Sequence, residues 1–86
     1  MADTEAVWQK EKKIGNEAFS AGRMNDAITA YTNALKDDSL TSSDRGTLLC
    51  NRAQCYINLN DFSLALEDCT ACLTLTPSNV KALYRR

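Results

Sequence analysis

Two stretches of the chain decide the fold: AITAYTNAL at residues 27–35 and ALEDCTACL at residues 65–73. They begin 38 residues apart and keep Ala, Ile or Leu, Thr and the final Leu in register, while Cys72 replaces Ala34. In both stretches, small residues seven positions apart share one helix face, where a neighbouring helix can approach closely. An internal repeat with a period in this range predicts stacked helical units.

The segments before both stretches are also predicted to be helical. Apolar residues follow the helical period there: Val7, Ile14, Ala18 and Phe19 in the first segment, and Leu48, Leu49, Tyr56 and Ile57 in the second. Gly22 can end the first helix because glycine accepts positive φ, and Asn60 and Asp61 supply turn and capping chemistry at the equivalent place. We therefore predict helices at about 5–21, 24–37, 44–59 and 62–74, with a linker at 39–43.

The last part of the chain predicts one further helix. Pro77 closes the second unit because proline cannot continue a helix, and Ser78 is a plausible N-cap for a helix running from residue 79 to the end. The expected architecture is a single all-α domain over residues 1–86, a right-handed α-solenoid of helical hairpins. Its units are a first repeat at about 5–38, a second at about 44–77 and the first helix of a third at 78–86.

A chain that stops after the first helix of a third repeat is expected to be a piece of a longer protein, because repeat arrays need about three units to cover their faces. Two outcomes then stay open for the last helix. In the first, the helix frays, since so short a helix is not stable alone. Alternatively, a second copy of the chain covers its apolar face and the protein self-associates.

Composition narrows the class of protein. The 86 residues carry ten basic and eleven acidic side chains, a net charge of -1, so no global field favours nucleic acid. The first residues include Asp3 and Glu5 but no basic residue, unlike a secretory signal, and no apolar run reaches the roughly 18 residues of a membrane helix. We predict a cytoplasmic protein that binds neither nucleic acid nor membranes.

Four cysteines occur without any histidine, and two of them, Cys69 and Cys72, have the C-x2-C spacing of zinc and redox sites. Because this pair lies inside a helical pattern, we interpret all four as buried, reduced packing residues. A metal or disulfide site is the alternative. The other two cysteines are Cys50 and Cys55.

Polar residues on the first helix of each unit are the candidates for function, because those helices line the inner groove of such an array. Lys12 and Asn16 are four apart on one helix face, Asn51 lies on the equivalent helix of the second unit, and Lys81 and Arg85 are four apart on the predicted last helix. This set offers many N–H donors and no carboxylate, which suits a peptide C-terminus rich in carboxylate oxygens.

The repeat resembles the tetratricopeptide repeat family. Its characteristic small, aromatic and proline positions are occupied by Gly15, Ala53, Ala27, Tyr31, Ala34, Ala65, Cys72 and Pro77. Within that family, Lys12-x3-Asn16, Asn51-Arg52-Ala53 and Lys81-x3-Arg85 look like the carboxylate clamp of co-chaperones. The resemblance implies binding of the terminal Glu-Glu-Val-Asp tail of heat-shock protein 90 or heat-shock protein 70. The last residues, with the long linker between the hairpins, look most like the N-terminal domain of the UCS family of myosin-directed co-chaperones, and immunophilins and import-related adaptors are close alternatives.

Other interpretations stay beside this one. Phe19 and Ile57 are more typical of a core than of a binding site, although they could shape an apolar pocket for the valine of such a peptide. Lys13, Arg45 and Arg52 are interpreted as surface or structural charges. The rival function is a repeat scaffold or oligomerisation module for a different protein partner. The sequence shows no catalytic motif and no phosphate-binding loop, so we predict neither enzyme activity nor a cofactor.

Overall fold

The computed structural model of the chain describes residues 6–75, which contain four α-helices in two antiparallel hairpins. The helices are α1 (Val7–Ser20), α2 (Met24–Leu35), α3 (Ser42–Asn58) and α4 (Phe62–Leu75). Each helix packs against the next one along the chain, so the two hairpins meet where α2 contacts α3. The all-α helical-hairpin repeat predicted from the sequence is confirmed. The predicted helix at 79–86, together with Pro77 and Ser78, lies outside the described residues.

The turns inside the two hairpins repeat each other. Gly22 has a φ of 80° and Asn60 a φ of 64°, so both chain reversals use the left-handed conformation that Gly and Asn tolerate best. After each turn, a backbone N–H closes the helix end by donating to a carbonyl five residues earlier, at 2.8 Å in both hairpins. These bonds join Arg23 to Ala18 and Asp61 to Tyr56. The two turns are 38 residues apart, like the repeated stretches.

The connection between the hairpins differs from the prediction. Helix α3 begins at Ser42 and not at residue 44, because the side chain of Thr41 caps it by accepting the N–H of Asp44 at 3.0 Å. Helix α2 ends at Leu35 and not at residue 37. The connection runs from residue 36 to residue 41, so it begins three residues and ends two residues before the linker predicted at about 39–43.

Arg45 holds this connection in place. Its guanidinium donates to the carbonyl oxygens of Leu35 at 2.9 Å and Asp37 at 3.0 Å, and so satisfies acceptors that the end of α2 would otherwise leave open. Leu40, in the same connection, is buried in the core. Arg45 thus has a structural role.

The core lies mainly between α1, α2 and α3. Tyr31 is its largest fully buried side chain, and Trp8 and Phe19 pack against the cluster it belongs to. The Tyr31 ring lies directly against Gly15: a Cβ added there would be 2.6 Å from Cε1 of Tyr31. The small residue at this position is therefore required by the aromatic residue opposite it.

All four cysteines are buried, as predicted from their helical setting, and no disulfide joins them. The thiols of Cys50 on α3 and Cys72 on α4 lie 2.9 Å apart, and Cys72 also contacts the carbonyl oxygen of Gly46 at 3.2 Å. These thiols fill the interface of the second hairpin. Within residues 6–75, no three His, Cys, Asp or Glu side chains cluster as ligands of a metal ion would.

An ion pair between the half-buried Arg52 and the buried Asp68 joins three helices. Arg52 on α3 donates two hydrogen bonds to the carboxylate of Asp68 on α4, at 2.7 and 2.8 Å, and a third to the hydroxyl of Thr32 on α2 at 3.1 Å. Asp68 is only 5% exposed. The bonds to Asp68 raise the pKa of Arg52 above its ordinary value, so the guanidinium stays charged. Arg52 is therefore a structural charge that ties both hairpins together.

Candidate functional site

A depression of about 240 Å³ opens between the first helices of the two hairpins. Three of its six lining residues come from α1, two from α3 and one, Tyr31, from α2 at its floor. The lining residues are Asn16, Phe19, Ser20, Tyr31, Asn51 and Gln54. Among the described residues, no carboxylate or cation lines it. The surface therefore offers amide and hydroxyl groups beside one aromatic ring of α1.

The two predicted asparagines lie on opposite walls of this depression. Asn16 is on α1 and is exposed, while Asn51 is on α3 and is half-buried. The oxygen of the Asn16 carboxamide accepts a hydrogen bond from the Tyr31 hydroxyl at 2.5 Å. The Asn51 carboxamide bonds to no other described residue. Both amide groups thus keep N–H donors for a ligand.

The floor of the depression is electrically neutral. Burial, with a smaller contribution from the nearby Cys55, raises the pKa of Tyr31 from 10.0 to about 12. The phenol therefore keeps its proton at physiological pH and acts as a hydrogen-bond donor. A negatively charged ligand would meet no phenolate here.

The other predicted site residues differ in how close they lie to the depression. Lys12 is half-buried on α1, one turn before Asn16 and on the same helix face, but outside the lining of the depression. Phe19 lines the depression and also packs against the core. Ile57 is half-buried on α3 and does not line the depression. Lys81 and Arg85 lie outside the described residues.

Two lining residues were missed by sequence reasoning although a signal was present. Gln54 occupies the position 38 residues after Asn16, the equivalent place in the second repeat, and also presents a carboxamide. Ser20 is four residues after Asn16 and so shares its helix face. The repeat offset and the helical period would have identified both.

No helix within residues 6–75 combines the length and the apolar character needed to cross a membrane.

Comparison with known proteins identifies the repeat. Residues 47–79 match the family model of the tetratricopeptide repeat. Sperm-associated antigen 1 of Rattus norvegicus is 41% identical over 92 aligned residues, which cover 98% of this chain and 10% of that protein. The Hsp70/Hsp90 co-chaperone CNS1 of Saccharomyces cerevisiae is 39% identical over 74 residues, covering 86% of this chain and 19% of CNS1.

A third relative carries a different name. The TPR repeat-containing thioredoxin TTL4 of Arabidopsis thaliana is 42% identical over 76 residues, covering 88% of this chain and 11% of the relative. The chain thus spans less than a fifth of the length of the relatives it matches. It contains a tetratricopeptide repeat at residues 47–79, within a fold of helical hairpins.

Proposed function

We propose that this chain is the tetratricopeptide module of a co-chaperone adaptor, and that its groove binds the acidic C-terminal Glu-Glu-Val-Asp tail of heat-shock protein 90 or heat-shock protein 70. The similarity to a relative named as an Hsp70/Hsp90 co-chaperone supports the class of partner. Tetratricopeptide arrays present a concave surface for binding, so the same similarity supports an adaptor without catalytic activity.

The observation that carries the proposal is the meeting of Asn16 and Asn51 in one depression that no described carboxylate lines. Carboxamide N–H groups from opposite walls can donate to the two oxygens of a terminal carboxylate, or to that carboxylate and the neighbouring acidic side chain. A C-terminal amide offers fewer acceptor sites and no charge. The groove should therefore discriminate between a free and a blocked peptide end.

Lys12 supplies positive charge at the edge of this depression. It follows the helix face of Asn16 and makes no ion pair with another described residue, so its ammonium is available to an anion. By the resemblance to the carboxylate clamp, Lys81 and Arg85 would grip the peptide further from its end. A cytoplasmic location belongs to the same proposal, because that is where the resemblance places the partners. The similarity to UCS-family co-chaperones is also part of this proposal.

The test is a calorimetric titration with the peptide Met-Glu-Glu-Val-Asp, prepared as the free acid and as the C-terminal amide. We expect micromolar binding of the free acid, roughly 7–8 kcal/mol, and much weaker binding of the amide. Equal affinity for the two peptides would overturn the clamp. Absence of binding by a chain that circular dichroism shows to be helical would overturn the proposed function.

Single substitutions then locate the site, each with a matched control. Asn16→Ala and Asn51→Ala should each weaken binding about tenfold or more, because a hydrogen bond to a charged group contributes about 1.5–3 kcal/mol. Asn33→Ala is the control: Asn33 is exposed on α2 and lines a different depression. Lys12→Ala should weaken binding in a salt-dependent way, while Lys36→Ala, which removes an exposed lysine just after α2, should not.

The rival function is a scaffold or oligomerisation module for another protein. The observation in its favour is the exposure of large apolar side chains on α4, where Phe62 is 62% and Leu66 is 52% exposed. Sedimentation velocity at several concentrations tests self-association. A mass above that of the monomer, lost in Leu66→Ser, would support this rival, and a monomer at all concentrations would exclude oligomerisation.

A further inference from the structure

We propose that Tyr31 is a positioning residue for peptide binding: its hydroxyl holds the Asn16 carboxamide so that both N–H bonds face the groove. This inference rests on the proposed function, because it concerns the same groove. It goes beyond that function by giving a binding role to a side chain that otherwise looks like a packing residue. It also explains why a tyrosine, and not only an aromatic ring, is useful at this place.

The packing of α1 on α2 makes the contact possible. Gly15 leaves the space that the Tyr31 ring fills, since a Cβ at residue 15 would lie 2.6 Å from Cε1 and 2.9 Å from Cζ of the ring. The ring therefore lies against the backbone of α1 next to Asn16. Its hydroxyl extends beyond the glycine and ends 2.5 Å from Oδ1 of Asn16. A larger residue before Asn16 would push the hydroxyl out of reach.

The direction of this hydrogen bond follows from the chemistry of the two groups. Tyr31 is 2% exposed, and its hydroxyl keeps its proton at neutral pH, so the O–H needs an acceptor. The carboxamide oxygen supplies that acceptor. The opposite orientation of the amide would use one of its N–H donors on the phenol oxygen and leave the O–H to compete for solvent. The observed orientation keeps both N–H donors for the ligand.

Fixing the amide in advance should increase affinity. A side chain that is already ordered loses less conformational entropy when the peptide binds. Asn51, on the opposite wall, bonds to no described residue and remains able to adjust. The groove thus combines one fixed donor group on α1 with one adjustable donor group on α3.

The first experiment is a double-mutant cycle measured by calorimetry with the free-acid Met-Glu-Glu-Val-Asp peptide. Tyr31→Phe keeps the ring and should weaken binding about fivefold, the effect of one neutral hydrogen bond. In the background of Asn16→Ala, the same change should have no further effect, because Tyr31 acts through Asn16. Equal losses in both backgrounds would overturn the inference, as would unchanged affinity in Tyr31→Phe.

Tyr56→Phe is the matched control. Tyr56 is half-buried on α3, does not line the depression, and its ring lies 6.0 Å from the guanidinium of Arg52. Removal of its hydroxyl should leave peptide affinity unchanged. If Tyr56→Phe weakens binding as much as Tyr31→Phe, the effect belongs to general destabilisation and the inference fails.

A measurement without ligand separates this inference from the proposed function. The side-chain amide of Asn16 should show a high nitrogen-15 order parameter in the wild-type chain and a low one in Tyr31→Phe. The exposed Asn25 and Asn33 provide the mobile reference in the same spectrum. If the Asn16 amide is as mobile as that reference, Tyr31 does not position it. If the amide is rigid but the peptide does not bind, the proposed function is wrong and the positioning contact stands.

Discussion

Replacement of Arg52 by methionine should strongly destabilise the domain. The variant keeps a long side chain but removes the three hydrogen bonds that Arg52 itself makes to α2 and α4. Asp68, 5% exposed, is then left as a carboxylate without its cation. The variant therefore measures how much stability is lost when the buried carboxylate of Asp68 has no cation beside it. This loss should exceed the loss from removing an ion pair at the surface.

The expected loss is about 3 kcal/mol, the lower end of the range found when one partner of a buried pair is removed, because the Arg52 side chain is 20% exposed. A chain of this size has a total stability of only about 4–13 kcal/mol, from roughly 0.05–0.15 kcal/mol per residue. Arg52→Met should therefore remove a large share of this stability, and most of it if the domain lies at the lower end of the range. Urea titration followed by circular dichroism at the helical band measures this, with a midpoint about 3 M lower for a slope of about 1 kcal/mol/M.

Two further variants make the result decisive. Arg23→Met removes an exposed pair with Asp26, whose side chains are 63% and 71% exposed, and should cost less than about 0.5 kcal/mol. The double variant Arg52→Met, Asp68→Leu removes both charges and should recover most of the stability, because an apolar pair replaces the ionic one. A loss below about 1 kcal/mol in Arg52→Met, as for a surface pair, would refute the reasoning.

Three more outcomes follow from the core. The free energy of unfolding should fall as the pH rises from 10 towards 12, because folded Tyr31 keeps a proton that the unfolded chain loses; Tyr31→Phe should remove this part of the pH dependence in urea titrations. Gly15→Ala should lower the melting temperature, since overpacking costs about 1–3 kcal/mol and the gain in helix propensity offsets only about 1 kcal/mol; an unchanged melting temperature would show that the Tyr31 ring shifts without cost. Iodoacetamide, followed by mass spectrometry, should label no thiol in the native chain and every thiol in urea, and rapid native labelling would contradict the burial of Cys50, Cys55, Cys69 and Cys72.

Much of the fold could be predicted because its signals are local. Helical periodicity placed all four helices, and Gly22 and Asn60 marked the two turns in which the backbone takes positive φ. Helix ends were less predictable where they depend on distant groups. The end of α2 is set partly by the guanidinium of Arg45, which comes from the next helix. The start of α3 had its own local signal, the hydroxyl of Thr41, which the prediction did not use.

In the candidate site, too, the features with local signals could be predicted and the long-range contacts could not. The sequence placed Asn16 and Asn51 on equivalent helices, and the structure brings both to one depression. It did not reveal the contact between Asn16 and Tyr31, because a bond across 15 residues depends on how two helices rotate against each other. Arg52 was predicted to be either a surface or a structural charge, and the sequence did not decide between the two. That distinction required the burial of Asp68.

The two arginines of α3 that reach back to α2 have a consequence for how the domain opens. Arg45 binds the last residue of α2 and Arg52 binds Thr32, three residues earlier, so the boundary between the hairpins carries directional bonds as well as apolar packing. In a linear array, the strength of such a boundary decides whether neighbouring units open separately or together. Amide hydrogen exchange should then show the slowest protons of both hairpins opening in a single event. A ligand that spans α1 and α3 would accordingly protect α4 as well, although it touches no residue of that helix.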